Sequence, residues 1–115
     1  MTVSTEAEVV AAFVSWLEAD GWAVETEVAW ADVVAERGSE RLIAEAKGST
    51  TSSGLDIDTL YGQLLRRIIP DANVRYAVVL PASLVAKAVR VHESVRALLK
   101  VEVYGVDADG TVAAA

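Results

Sequence analysis

Residues 74–80, "VRYAVVL", constrain this chain more than any other stretch. A strand with one solvated face alternates apolar and polar residues, whereas a continuous apolar run has to be covered on both faces. A chain that contains such a run must supply a layer to each side of a sheet, and helices are the usual cover. The 115 residues suit one domain, residues 1–115, and at 53% hydrophobic they can build its core.

The flanking sequence offers those layers. Thr5 and Glu8 form a Thr-x-x-Glu capping box, and Val9, Val10, Phe13, Trp16 and Leu17 then recur at helical spacing until Gly21. Trp22, Val24, Thr26, Val28 and Trp30 alternate as in a half-buried strand, which either bends into residues 31–36 or joins them through a tight turn. "RLIAEAK" is the next strand, and "GSTTSSG", residues 48–54, reads as a flexible loop. A second helix, capped by Asp56 or Asp58, carries Ile57, Leu60, Tyr61, Leu64, Leu65 and Ile68 and stops at Pro70. A third follows Pro81, with Leu84, Val85, Ala88, Val89, His92, Val95, Leu98 and Leu99 inward and His92 at the core edge. "VEVYGV" is a strand, and Asp109-Gly110 turns the chain toward a short last one. The Ala-rich tail after Val112 is the one stretch that reads as low in complexity or disordered. The order α-β-β-β-α-β-α-β-(β) predicts an α/β (α+β) fold, a mixed sheet flanked by helices.

The chemistry concentrates in "ADVVAERGSERLIAEAKG", residues 31–48. Gly38-Ser39 as a two-residue loop suits a type II′ turn, with glycine at its first central position. That turn pairs Arg37 with Glu40 and therefore sets Asp32 opposite Glu45 on one sheet face. Lys47 falls on the same face, two residues further on. Directly opposed carboxylates repel, the more so where water is scarce. A divalent cation between them removes that penalty. Asp32, Glu45 and the Ala46 backbone carbonyl make a hard oxygen set suited to Mg²⁺ or Mn²⁺, which could polarise a phosphate and lower the pKa of a bound water. Lys47 could orient that water or stabilise charge on the phosphate.

These residues resemble the PD-(D/E)xK nuclease superfamily, which includes restriction enzymes, Holliday-junction resolvases, and Mrr-like and RecB-like nucleases. "ADVVAERG" matches the Asp-bearing second strand and "LIAEAKG" the (D/E)xK third strand, with Ala31 standing where the motif has proline. The resemblance spans residues 6–80 in element order. It implies a restriction-endonuclease-like fold, a Mg²⁺ or Mn²⁺ cofactor, and phosphodiester hydrolysis of DNA by Asp32, Glu45 and Lys47. It also implies a first-helix glutamate that reaches the metal, matched by Glu8 with Glu6 as the alternative. RecB-like members further carry a glutamine on the next helix, here Gln63, followed by an aromatic residue where this chain has Arg67.

Charge distribution bears on the partner. The net charge of −7 opposes polyanions, but the acids are concentrated early: residues 1–36 hold eight acids and no Lys or Arg. Residues 60–100 hold seven bases against two acids. Arg66, Arg67, Arg75, Lys87 and Arg90 are thus the candidate DNA contacts, of adjacent Arg66 and Arg67 only one can face a given cleft, and Ser49, Thr50, Thr51, Ser52 and Ser53 could also touch phosphate. The absence of cysteine excludes disulfides, zinc-thiolate sites and thiol catalysis. A start without a basic region, and a longest apolar run of only "VVAAFV", predict a cytoplasmic protein without a membrane span. A nuclease this small would need a homodimer or a larger assembly to hold both strands of a duplex. The alternative function is a catalytically inactive nuclease-fold binding module within a defence or repair assembly.

Overall fold

A computed structural model describes residues 5–28, 31–49 and 52–115. The readings made for Trp30, Thr50 and Thr51 lie outside the described residues. Helix α1 (Glu6–Ala19) starts in the capping box: Thr5 Oγ1 accepts the Glu8 amide at 3.1 Å, and the Glu8 carboxylate accepts the Thr5 amide at 3.1 Å. Strands β1 (Ala23–Val28), β2 (Ala31–Arg37) and β3 (Glu40–Ala46) follow as an antiparallel meander. Val28 pairs with Ala31, so β1 and β2 are two antiparallel strands and not one bent strand. Arg37 pairs with Glu40 around Gly38, whose φ of +63° is the left-handed conformation that glycine adopts freely.

Helix α2 (Ser53–Leu65) begins at an Ser52 cap, ahead of the expected Asp56 or Asp58. Asp56 instead lies in the first turn, where a negative charge favours the positive end of the helix dipole. Part of the expected flexible loop is therefore helical. Strand β4 (Val74–Pro81) pairs parallel with β3 and with β5 (Val101–Val106), and β6 (Val112–Ala114) returns antiparallel to β5. The Ala-rich end is thus a paired edge strand. Strand order across the mixed sheet is β1-β2-β3-β4-β5-β6.

The expected third helix is two. A 3₁₀ turn (Ala82–Leu84) leads into α3 (Val85–Ala88), and after a break α4 (Glu93–Leu99) begins. β-branched Val89 and Val91 disfavour helix across the break. His92 caps α4, its Nδ1 accepting the Ser94 amide at 3.1 Å, and so is an exposed helix start instead of a core-edge residue. The break re-aims α4, leaving Val95 and Leu98 exposed where one continuous helix would have turned them inward.

β4 meets the requirement its sequence sets. Ala77 and Val79 pack beneath Val9, Phe13 and Leu17 of α1. Tyr76, Val78 and Leu80 face the other way, against Ile57, Leu60 and Leu64 of α2 and Ala88 of α3. The connection from β4 to β5 is tight: a Cβ on Gly105 would lie 2.7 Å from Val85 Cγ2 and 3.3 Å from Ala82 Cα. Among the described residues, no helix is long and apolar enough to cross a membrane.

Candidate active site

The β2–β3 ladder runs from Arg37↔Glu40 to Val33↔Ala44, and one further step sets Asp32 across from Glu45. Asp32 Oδ2 accepts the Ala46 amide at 2.8 Å, which fixes its carboxylate at the end of β3. The two carboxyl groups are near enough for Asp32 to act on the protonation of Glu45. Glu45 is 2% exposed because β4 and α2 cover its face of the sheet. Burial pushes its pKa up to about 7, with Asp32 adding to the rise and Arg67 opposing it.

Arg67, a candidate DNA contact from the sequence, is paired with Glu45. Its Nε donates to Glu45 Oε1, and its side chain is largely buried with that of Glu45. The arginine sits just past α2, its amide bonded to the Leu64 carbonyl at 2.9 Å, and turns inward while neighbouring Arg66 stays exposed. A buried glutamate requires a counter-charge, so the need was legible. The identity of the arginine depends on where α2 ends against the sheet.

Lys47 is half-buried beside this pair and continues β3, its amide donating to the Val79 carbonyl at 2.9 Å. Glu6 stands at the start of α1 with its carboxyl raised by desolvation and by the charge of Asp32, and lowered by Lys47. Glu6 is therefore the first-helix acid that feels both residues, whereas Glu8 is bonded to the Thr5 amide in the capping box. Gln63 is exposed on α2, off the Ile57–Leu60–Leu64 stripe that meets the sheet.

Two carboxylates in a water-poor corner are donors of the right type for Mg²⁺ or Mn²⁺, with the Ala46 carbonyl as the main-chain candidate. Among the described residues, no group of three or more acidic or histidine side chains is arranged to hold a metal. An ion here would have to complete its shell with water and substrate oxygens, as Mg²⁺ commonly does.

The candidate DNA-contacting cations fall into two sets. Arg67 is taken by Glu45, and Arg75 by Glu102 at 3.2 Å and Glu40 at 3.4 Å. Arg75 also lies over the Trp22 ring near the start of β4, at the end of the sheet away from Lys47. Arg66, Lys87 and Arg90 form no ion pair among the described residues. Lys87 Nζ donates to Ser53 Oγ, and Lys87 and Arg90 line a cavity of about 310 Å³ with Gly54, Asp58 and Tyr61.

No protein-family model matches the chain, and no curated protein matches it in sequence. Similar folds occur in solved structures. An XisH family protein from Nostoc punctiforme superposes with a TM-score of 0.58 at 21% identity, covering 91% of this chain and 95% of that one. A fdxN element excision controlling factor protein from Anabaena variabilis gives 0.56 at 20% identity, covering 94% and 95%. At these identities the likeness establishes a shared architecture across nearly the whole of each chain.

Proposed function

We propose that the chain is a divalent-metal-dependent deoxyribonuclease of the PD-(D/E)xK type. The observation that carries this reading is the meeting of Asp32 and Glu45 at one end of the β2–β3 hairpin, with Lys47 immediately beyond. The likeness to an excision controlling factor supports a nucleic-acid substrate. Bound Mg²⁺ or Mn²⁺ would polarise the phosphate and supply an activated water. Asp32, held by the Ala46 amide, and Glu45 would hold the ion. Lys47 would orient the attacking water and offset charge on the phosphate. Arg66, Lys87 and Arg90, which form no ion pair among the described residues, would hold the flanking backbone, and a second copy or a partner would engage the other strand of a duplex.

Purified protein should cleave single-stranded, duplex or branched DNA with Mg²⁺ or Mn²⁺. Lys47→Ala should slow cleavage by about 10²–10³-fold while changing stability by no more than about 0.5 kcal/mol. Failure to cut any of these forms with either metal would replace the enzyme by the second reading, an inactive nuclease-fold binding module. The Arg67–Glu45 pair favours that second reading, because it satisfies the buried carboxylate without any metal.

A further inference from the structure

Glu45 already has a cation. The Arg67 guanidinium bonds to Oε1 of the carboxylate that would hold a metal, and both side chains are largely removed from solvent. Asp32 stands beside Glu45, so the arginine offsets charge where two carboxyl groups meet. A buried guanidinium and a divalent cation of comparable demand for the same oxygen exclude each other on charge as well as on space.

The geometry points to Arg67 as the resident counter-ion of the candidate metal site: it holds Asp32 and Glu45 together in the metal-free protein, and a divalent cation gains Glu45 only as Arg67 leaves it. This rests on the reading of Asp32 and Glu45 as metal ligands. Arg67 follows Arg66, the C-terminal cap of α2, and lies in a turn instead of the helix body, so its side chain can withdraw without unwinding a packed segment. A guanidinium released beside the site is a ready partner for a phosphate, which it binds through two parallel N–H donors. Metal loading and phosphate binding then help each other, because each makes the departure of Arg67 from Glu45 less costly. The coupling is reciprocal by thermodynamic linkage. In this role Arg67 is a positioning residue, acting on the metal through Glu45.

The test measures Mn²⁺ binding to the full chain by calorimetry, with no reaction required. Arg67→Met, which keeps length and removes charge, should bind Mn²⁺ about 10- to 100-fold more tightly than wild type, the span expected for losing one charged hydrogen bond as competitor. Arg67→Lys, which keeps the charge, should stay within about threefold of wild type, and Glu45→Gln should lose binding. If Arg67→Met does not fold, Arg67→Gln takes its place with the same expected direction. In the wild type, the Arg67 Nε–H resonance should move towards that of a solvated guanidinium as Mg²⁺ is added. Wild-type binding that Arg67→Met leaves unchanged, or weakens, would overturn the competition and leave the metal site standing. Absence of Mn²⁺ binding in both proteins would overturn the metal site and this inference together.

Discussion

Glu45 decides most of what happens at the scale of single residues. Its pKa is raised to about 7, from the ordinary value of 4.5, because the folded chain buries the carboxyl and sets it beside Asp32. An acid whose folded pKa is raised contributes stability that is fully present below the unfolded value and is lost as pH rises through the folded one. The metal-free protein should therefore lose stability as pH rises from about 4.5 towards 7. Glu45→Gln should flatten that loss, and thermal melts across the pH range check it. Asp32, Glu45 and Lys47 were legible in the sequence because a two-residue turn fixes which residues oppose each other across a hairpin. Arg67 was legible only as a charge: it reaches Glu45 from 22 residues away. That meeting is set by packing of α2 on the sheet, and no local pattern encodes it. The choice between Glu6 and Glu8 had the same origin, since both lie in the first turn of α1 and only its seating on the sheet separates them.

At the scale of elements, the capping box, the hairpins and the doubly covered β4 followed directly from spacing. Elements whose ends depend on neighbours did not. α2 took two residues, Ser53 and Gly54, from the expected loop, and the helix expected after Pro81 divided at residues 89–92, where its apolar periodicity continued but its backbone did not. An apolar stripe records which side chains could face a core, and it is blind to a change of axis partway along. The link from β4 to β5 leaves little room beside the sheet. Gly105→Ala should destabilise the protein by about 1–3 kcal/mol, because the added methyl group meets Val85 and the Ala82 backbone. Chemical denaturation of both proteins measures this, and an unchanged midpoint would show that the 3₁₀ turn yields easily.

Over the whole molecule, a net charge of −7 coexists with a set of cations that form no ion pair among the described residues. Sequence distribution pointed to residues 60–100 as the basic part, and pairing in the metal-free protein narrows it: Arg67 and Arg75 are paired with acids, while Arg66, Lys87 and Arg90 form no ion pair among the described residues. In DNA-binding titrations over a range of salt, each of Arg66→Ala, Lys87→Ala and Arg90→Ala that removes a phosphate contact should lower the salt slope by about one unit. Arg75→Ala should leave it unchanged. A loss of slope with Arg75→Ala and none with the other three would place the polyanion at the opposite end of the sheet.

The order of strands also governs what the protein does in crowded solution. A six-stranded open sheet has two borders, and an unpaired border is a template on which another chain can build. Here β1 presents exposed Glu25 and Glu27, and Glu27 breaks the regular backbone with a φ of +55°. At the other border β6 is three residues long. An incoming strand would meet carboxylates and an interrupted ladder on one side, and too few hydrogen-bonding groups on the other. Both borders thereby resist edge-to-edge aggregation, although the strands between them are apolar enough to invite it.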